Sequence, residues 1–292
     1  MARRSPRPVE HPRELWPSPP RDDGSTLLCA IGDTHYNDFK PARREQFITS
    51  MVRGAVPDLY IHVGDVTDIG HTLQNDAGKA YLDQLPAPWI AASGNHDVMT
   101  QSAATFAAAM GMPGKDFTHD IDHIRLISPA VEAEQTNLTL TAAQLSWMEE
   151  QFAALGGRHG YVLHHVPLKN TVLGDTSQVF ASTQAHFYTH PDATVRALLA
   201  EYPDVKAWIS GHTHSPKDTP GLLKVESVGG HTIACINAGS PHYIGLGETY
   251  TDPMHVLYLS CYEDRIAVRP RNVGAWAWDT INGKRMTELA LS

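Results

Sequence analysis

The 292-residue sequence predicts an α/β fold. Short apolar runs alternate with amphipathic segments in its first half, several of these runs end in polar clusters, and the last third holds apolar runs without helical segments between them. Such alternation is typical of βαβ units, in which helices join parallel strands. We therefore expect one large domain with a mixed sheet, whose terminal strands pair as antiparallel hairpins on its edge.

The first half supplies the parallel strands. They are predicted in TLLCAIGD, DLYIHVGD and PWIAASGNHD, with a helix in REQFITSMVRGA and a polar helical stretch before the third strand. Another strand is predicted near residues 124–128. The helix that follows, in TAAQLSWMEEQFAAL, has Thr141 placed as its cap and apolar residues at helical spacing that would face the core.

The second half begins with GYVLHH and passes through a loop-rich region, a helix near 192–201 and the run VKAWISGHTH. Four strand-like runs close the chain: LLKVESV, HTIACIN, HVLYLSC and RIAVRP. We expect residues 1–24 to form an arm rich in Pro and Arg, residues 25–272 to form the domain, and residues 273–292 to form a C-terminal tail.

Composition and charge restrict the classes of function. Apolar residues make up 42% of the chain and charged residues 19%, which is an ordinary globular mixture. The net charge of −9 disfavours broad binding to nucleic acid. The start MARRSPRP lacks the apolar stretch of an export signal, and no run of about 18 apolar residues occurs, so no membrane span is predicted and a cytoplasmic location is expected. The oligomeric state is left open, a homo-oligomer included.

Polar clusters follow five of the apolar runs: IGDTH, VGDVTD, SGNHD, LHHVP and SGHTH. The carboxyl ends of strands in an open α/β sheet converge on one crevice, so these side chains should meet. The residues at such ends are Asp33, Asp65, Asn95, His164 and His212. Carboxylate, imidazole and amide groups without a thiolate are ligands for hard or borderline divalent ions, and the three widely spaced cysteines receive no role. Asp65 is the candidate for a carboxylate that bridges two ions.

The motifs, in this order, resemble those of the calcineurin-like metallophosphoesterase family: D-x-H, G-D, G-N-H-D, a lone H and G-H-x-H, from about Ile31 to His214. The resemblance implies a four-layer α/β/β/α sandwich, in which two mixed β-sheets pack face to face and are flanked by helices. It also implies two divalent metal ions, which would be manganese, iron or zinc. One ion would be held by Asp33, His35, Asp65 and His214, and the other by Asp65, Asn95, His164 and His212.

The same resemblance assigns roles beside the ligands. His164 is chosen over the adjacent His165, because HHVP aligns with a segment of the family in which the first histidine is the ligand. His165 is then expected to lie behind the ligands or to face the substrate. His96 would stabilise the phosphoryl group or protonate the leaving oxygen, and Asp97 would orient the His96 ring. His96 and Asp97 are thus the predicted catalytic residues.

Two features bear on the subfamily. Purple acid phosphatases carry a tyrosine three residues after the bridging aspartate, where this chain has Asp68, which argues against a purple iron(III) enzyme. The sequence looks closest to bacterial class III phosphodiesterases, because the helix after the central strand carries a similar QL-x-W pattern at Gln144, Leu145 and Trp147.

The function predicted from the sequence is that of a dinuclear metal-dependent phosphoesterase, which hydrolyses phosphodiester bonds of small molecules through a metal-activated hydroxide. Phosphomonoesters are left open as substrates. The alternatives are a phosphomonoesterase acting on nucleotides or phosphoproteins, and a metal-free protein-binding module of the same fold. A nuclease is disfavoured, because Lys169, Lys206 and Lys217 are few and scattered. The long connection at 168–191 either shapes the leaving-group pocket or is a surface excursion.

Overall fold

Two mixed β-sheets pack face to face at the centre of this computed structural model, which describes residues 24–36, 47–52, 54–132, 138–172, 181–215, 221–241, 255–275 and 277–292. The strands, in chain order, are β1 (Thr26–Ile31), β2 (Leu59–His62), β3 (Trp89–Ala91), β4 (Phe117–Ile121), β5 (Ile124–Ser128), β6 (His159–Leu163), β7 (Val205–Ser210), β8 (Leu223–Val228), β9 (His231–Asn237), β10 (His255–Cys261), β11 (Arg265–Asn272), β12 (Ala277–Trp278) and β13 (Thr287–Ala290). The helices are α1, described over residues 47–52, α2 (Thr72–Leu82), α3 (Ala103–Met110), α4 (Ala142–Ala153) and α5 (Asp192–Glu201).

The first sheet has the order β12-β11-β10-β1-β2-β3, with β13 also paired to β11. Strands β1, β2 and β3 are parallel, and β10 joins them antiparallel to β1. The second sheet has the order β4-β5-β6-β7-β9-β8, in which β5, β6, β7 and β9 are parallel and the two edge strands are antiparallel. Apart from β3, which lies at an edge of the first sheet, the parallel strands lie inside the two sheets, where helices and the opposite sheet cover their faces.

Side-chain alternation along the strands creates the layers. In β1, Leu28 and Ala30 belong to the core between the two sheets, whereas Leu27 and Cys29 belong to the core beneath the outer helices. The first sheet is covered by α1, α2 and α3. The second is covered by α4 and α5. This arrangement confirms the four-layer α/β/β/α sandwich.

The predicted C-terminal hairpins are present, but they are divided between the sheets. β8 and β9 pair antiparallel in the second sheet, and β10 and β11 pair antiparallel in the first. β9 also pairs in parallel with β7, and β10 also pairs with β1. The four strands therefore extend both sheets rather than one edge.

The chain beyond residue 272 carries sheet structure where a tail was predicted. Arg271 and Asn272 pair with β12, and Arg265–Val268 pair with β13. Leu289 in β13 is 5% exposed and packs in the core between the sheets, which explains why this segment stays on the domain. The first sheet thus extends past the predicted boundary.

Besides β12 and β13, the strand β4 and the helix α3 were not predicted from the sequence. The sequence of α3, AATFAAAM, has no polar face, although Ser102 precedes it and accepts a hydrogen bond from the Thr105 N–H group. Residues 1–23 of the predicted arm (residues 1–24) lie outside the described residues, as do residues 44–46 and 53 of the predicted helix REQFITSMVRGA. Among the residues that are described, no helix is long and apolar enough to cross a bilayer.

Candidate metal centre

Loops at the carboxyl ends of strands in both sheets bring carboxylate and imidazole side chains together in one cluster. Asp33 follows β1, Asp65 follows β2, and His212 follows β7 in the second sheet. The backbone N–H group of His212 donates to both carboxylate oxygens of Asp33, at 3.0 and 3.1 Å, so the two sheets are joined directly at the site. Asp33 and Asp65 are almost fully buried, with 0% and 1% exposure. Buried carboxylates require charge partners.

The first group of candidate ligands consists of Asp33, His35, Asp65 and His214. The Nε2 atom of His214 lies 3.1 Å from Oδ1 of Asp33, and the Nε2 atom of His35 lies 3.5 Å from Oδ2 of Asp65. The two imidazole Nε2 atoms are 2.9 Å apart. One oxygen or nitrogen of each residue lies within 4.8 Å of the others, which is a spacing that a single cation can span.

The second group consists of Asp65, His165 and His212. The Nε2 atom of His165 lies 3.3 Å from Oδ2 of Asp65 and 3.1 Å from Nδ1 of His212. It also lies 3.1 Å from Oδ1 of Asn95. Asp65 therefore belongs to both groups, which is the placement that a bridging carboxylate needs.

His164 is not part of this cluster, and the choice of His164 over His165 is corrected. The Nδ1–H group of His164 donates to the Pro129 carbonyl, and its ring packs edge-on against Trp208 on the helix side of the second sheet. In β6, Leu163 faces the other sheet. Since side chains alternate along a strand, residue 165 continues on the Leu163 side and residue 164 does not.

Hydrogen bonds to backbone carbonyls determine which ring nitrogen of His165 and of His212 is free to bind a cation. The Nδ1–H group of His165 donates to the Val63 carbonyl, and the Nε2–H group of His212 donates to the His186 carbonyl. In the neutral rings the remaining nitrogens are then lone-pair donors, and they lie 3.1 Å apart. Two lone pairs at that distance require a cation between or beside them.

The charges of the site also favour a bound cation. Burial alone would lower the pKa of His165, but the Asp65 and Asp33 carboxylates and the hydrogen bond to Val63 together outweigh burial and raise this pKa to about 9. Burial would raise the pKa of Asp65, whereas His165, His35 and His96 bring it well below its usual range. Burial and the neighbouring His165 lower the pKa of His212 to about 3. The site therefore stabilises anionic carboxylates together with positive charge, which a divalent cation supplies as well as a proton does.

The backbone is strained at the candidate ligands. Nine non-glycine residues in the described part of the chain have a positive φ. Five of them are candidate ligands: Asp33, His35, Asp65, His212 and His214. A positive φ outside glycine is uncommon and persists where the surrounding structure enforces it, as at binding sites.

Gly94 is required where two of the strand-end loops touch. A Cβ atom at this position would lie 2.1 Å from Oδ1 and 2.3 Å from the backbone nitrogen of Asp65. Only glycine allows this approach, which brings the loop after β3 against the shared carboxylate. The G-N-H-D motif thus has a steric reason for its first residue.

His96 lies beside the first group and is oriented by Asp68. Its Nδ1–H group donates to the Asp68 carbonyl at 2.6 Å, and its backbone N–H group donates to Oδ1 of Asp65 at 2.8 Å. The carboxylate of Asp68 lies 3.4 Å from Nδ1 of His35. Asp68 therefore contacts two histidines of the site, a role that the sequence comparison with purple acid phosphatases did not anticipate.

Asp97 does not orient the His96 ring, in contrast to the prediction. Its buried carboxylate accepts hydrogen bonds from the N–H groups of Val66, Thr67 and Gly94, and from the Thr67 hydroxyl, at 2.8–3.2 Å. Burial and the nearby Asp65 raise the pKa of Asp97 to about 6 against these donors. Asp97 therefore ties the loop after β2 to the loop after β3.

The segment before α5 reaches the site from the side of His212. A short 3₁₀-helix, Ala185–Phe187, supplies the carbonyl of His186 to the His212 ring, and the Phe187 ring lies 5.2 Å from the His212 ring. Part of the 168–191 connection thus contacts a candidate ligand. Residues 173–180 of that connection lie outside the described residues.

The donor set fits a pair of divalent ions. It consists of oxygen and imidazole nitrogen, it is split into two groups around one carboxylate, and its facing nitrogens need positive charge between them. The three cysteines are buried elsewhere. Six of the seven predicted ligands lie together in the structure: Asp33, His35, Asp65, Asn95, His212 and His214.

Fold and cluster together define an α/β/β/α-sandwich protein with a candidate dinuclear metal centre. A family model described as calcineurin-like phosphoesterase matches residues 27–216, which is more than half of the sequence. The chain belongs to this family.

Individual relatives agree with this assignment. The chain is 24% identical over 230 residues to a Danio rerio protein named "Transmembrane protein with metallophosphoesterase domain". The match covers 74% of this chain and 48% of that relative, so the chain spans about half of the relative's length.

Two solved structures share the fold at low sequence identity. A dimetal phosphatase from Danio rerio is 14% identical with a TM-score of 0.64, and the match covers 91% of this chain and 99% of that one. The purple acid phosphatase PPD1 from yellow lupin (Lupinus luteus) is 16% identical with a TM-score of 0.62, and the match covers 91% of this chain and 54% of that one. At this level of identity, both similarities concern the fold alone.

Proposed function

We propose that the chain is a dinuclear metal-dependent phosphodiesterase that acts on small phosphate diesters. The observation that carries this proposal is the Asp65 carboxylate, which lies with both groups of candidate ligands. When bound there, a pair of divalent ions would polarise the phosphoryl oxygens and lower the pKa of the attacking water. Asp33, His35 and His214 would hold one ion together with Asp65. Asn95, His165 and His212 would hold the other together with Asp65.

His96 is the group proposed to protonate the leaving oxygen. Its Nδ1–H group is engaged by the Asp68 carbonyl, so the Nε2 atom is left to exchange a proton with the substrate. The hydrogen bond from the His96 backbone to Asp65 keeps the ring close to the metal ligands. As the phosphorus–oxygen bond to the leaving group breaks and water oxygen forms the new bond, a proton from Nε2 would neutralise the departing alkoxide.

The preference for a diester comes from the resemblance of α4 to a helix of bacterial class III phosphodiesterases, whose QL-x-W pattern recurs at Gln144, Leu145 and Trp147. Two divalent ions would offset the negative charge of the site's carboxylates, so they would bind the phosphate of either class of ester. A phosphomonoesterase acting on nucleotides or phosphoproteins is the second candidate, favoured by the same ligand set. Manganese, iron and zinc all suit these donors.

The test is reconstitution followed by a substrate panel. Protein stripped with a chelator would be reloaded separately with Mn²⁺, Fe²⁺ or Zn²⁺, and its metal content measured by elemental analysis. Bis(p-nitrophenyl) phosphate, p-nitrophenyl phosphate and cyclic nucleotides would then be assayed. We expect two ions per chain and faster hydrolysis of the diester. Faster hydrolysis of the monoester would favour the second candidate, and fully loaded protein that cleaves no ester would refute both.

A further inference from the structure

Three large apolar side chains are exposed on the loops after β2 and β3 and on the first turn of α2. Ile69, Leu73 and Met99 are 41%, 72% and 59% exposed, respectively. They are half of the six large apolar side chains that the described part of the chain leaves exposed. We refer to them as the apolar lip. Single exposed apolar residues are ordinary, but a group at the rim of a candidate site indicates a ligand surface.

Hydrogen bonds hold two members of the lip close to His96. Ile69 directly follows Asp68, whose carbonyl accepts the hydrogen bond from His96 Nδ1 at 2.6 Å. Met99 lies three residues after His96, and its N–H group donates to the His96 carbonyl at 3.4 Å. The backbone of Ile69 is therefore held one residue from a hydrogen-bond partner of His96, and the backbone of Met99 is held one turn after His96.

Further hydrogen bonds join the two loops and the start of α2. The Thr100 hydroxyl lies 3.1 Å from the carbonyls of both Ile69 and Gly70 and donates to them. The N–H group of Ile69 donates to the side-chain oxygen of Gln74, in the same first turns of α2 that carry Leu73. These bonds tie the backbone at Ile69 and Gly70 to Thr100, which follows Met99, and to Gln74, which follows Leu73.

The position of the lip has a chemical consequence. If His96 protonates the leaving oxygen, that oxygen must come within hydrogen-bond reach of its Nε2 atom, and the carbon skeleton of the leaving group must continue outward from there. Two of the segments that carry the lip adjoin His96, since Asp68, which precedes Ile69, and the N–H group of Met99 are both hydrogen-bonded to it. An apolar leaving group would cover the lip and remove apolar surface from water, whereas a sugar or a charged alcohol would gain nothing from it.

From this arrangement we infer that the apolar lip binds the leaving group and that the preferred substrates are phosphate diesters of apolar alcohols or phenols. The inference rests on the proposed phosphodiesterase function. It names Ile69, Leu73 and Met99 as residues that determine leaving-group specificity. The diester is bound at its phosphate by the metal centre and at its apolar substituent by the lip.

The test uses methyl aryl phosphates whose phenol carries hydrogen, ethyl or butyl at the para position. These substituents hardly change the acidity of the phenol, so they vary apolar area while the chemistry stays constant. Because a fully buried methylene contributes about fourfold, kcat/KM should rise about twofold per methylene on this partly open surface. In the triple variant I69S/L73S/M99S, kcat/KM should no longer rise with the length of the para substituent. Val225→Ser is the matched control, because Val225 is 41% exposed on β8 and does not belong to the lip. This control should keep the wild-type increase of kcat/KM per methylene.

A binding measurement locates the contact independently of turnover. Protein carrying ¹³C-methyl methionine would be titrated with methyl 4-butylphenylphosphonate, which is not hydrolysed, and with its unsubstituted phenyl analogue. The Met99 methyl signal, identified by its loss in Met99→Leu, should shift further with the butyl compound. Equal slopes in wild type and triple variant, or no Met99 shift, would overturn the inference and leave the proposed function standing. Failure of metal-loaded protein to cleave any ester would refute the proposed function instead.

Discussion

The Nε2 atom of His165 lies 3.3 Å from a carboxylate oxygen of Asp65, while the ring of the adjacent His164 donates to the Pro129 carbonyl and packs against Trp208. Two neighbouring histidines thus point to opposite faces of the second sheet. One lies among the candidate ligands and the other lies in the core beneath the helices. Their roles should therefore be separable by mutation.

Substitution of His165 by Ala should remove the second metal ion, because it deletes a nitrogen that faces both Asp65 and His212. We expect metal content to fall by about one ion per chain and turnover to fall on the order of 100-fold or more. Elemental analysis of the reloaded protein, together with the diester assay, measures both effects.

His164→Asn is the matched variant, because the Asn amide can still donate to Pro129. It should keep both ions and most of the activity, and its free energy of unfolding should fall by about 1–3 kcal/mol through lost packing. Loss of metal in His164→Asn with retention in His165→Ala would reverse our assignment.

Substitutions of Asp65 and of His96 should have different effects on metal content, measured by elemental analysis, and on turnover, measured by the diester assay. Asp65→Ala removes the only carboxylate shared by the two groups, so both ions and all measurable activity should be lost. His96→Ala should keep both ions and lose about 100-fold in turnover, because His96 is the proposed proton donor and not a candidate ligand. A fully active His96→Ala variant would rule out His96 as the leaving-group acid.

Asp97 should stabilise the loops around the site rather than orient the His96 ring. Asp97→Ala would leave the N–H groups of Val66, Thr67 and Gly94 without their acceptor in a buried setting, and each such loss is worth about 1–3 kcal/mol. We expect a large drop in the free energy of unfolding, measured in urea, together with weaker metal binding. Asp97→Asn keeps one acceptor oxygen and should recover part of both. A stable Asp97→Ala protein that had lost only turnover would support the orienting role predicted from the sequence.

The candidate ligands were largely predictable from the sequence because they follow local signals. Asp33, Asp65 and His212 each come directly after an apolar strand, and strand ends in such sheets converge. The assignment of His165 needs one more step, namely the two-residue period of β6. Carrying that period through Tyr161 and Leu163 places residue 165 on the same face, so the sequence contains the signal although alignment by motif favoured His164.

Other features have no local signature. Asp97 is held by backbone N–H groups from two loops, and the sequence does not show which loops approach each other. β12 has two residues and β13 has four, too few for a periodic pattern, and they are stabilised by pairing with β11. Tertiary pairing, rather than local preference, decides these elements.

Stability should fall with acid partly through His164. Burial lowers its pKa to about 4 from 6.5, so below pH 6.5 the unfolded chain binds a proton that the native state does not. The native state therefore loses stability as pH falls from 6.5 toward 4, by about 2 kcal/mol between pH 8 and pH 5 for this residue. His62, with its pKa lowered to about 3 by burial, acts in the same direction.

The measurement is urea unfolding of metal-free wild type and His164→Asn at pH 8 and pH 5. The variant keeps His62 and the site histidines, so the difference between the two proteins isolates His164. Wild type should lose about 2 kcal/mol more than the variant over this range. Equal losses in both proteins would show that His164 is protonated in the native state.

Phe187 is expected to support the second metal ion through His212. Its ring lies 5.2 Å from the His212 ring, and the adjacent His186 carbonyl fixes the His212 tautomer. Phe187→Ala should loosen this contact and weaken binding of the second ion about 10-fold or more, since groups that orient metal ligands usually contribute that much. Titration against a competing chelator measures the affinity of each ion.

Tyr188→Ala is the control, because the Tyr188 ring stacks on His190 at 4.3 Å and not on a candidate ligand. It should leave both ion affinities unchanged. If Phe187→Ala and Tyr188→Ala weakened metal binding equally, the packing of Phe187 on His212 would not be the cause.

Replacing residues 173–180 by a Gly and Ser linker should also keep both ions, since Val172 and Ser182, which flank this segment, are hydrogen-bonded to each other. Changed relative rates across diesters in that variant would assign the segment to the substrate pocket, whereas unchanged rates would show it to be a surface excursion.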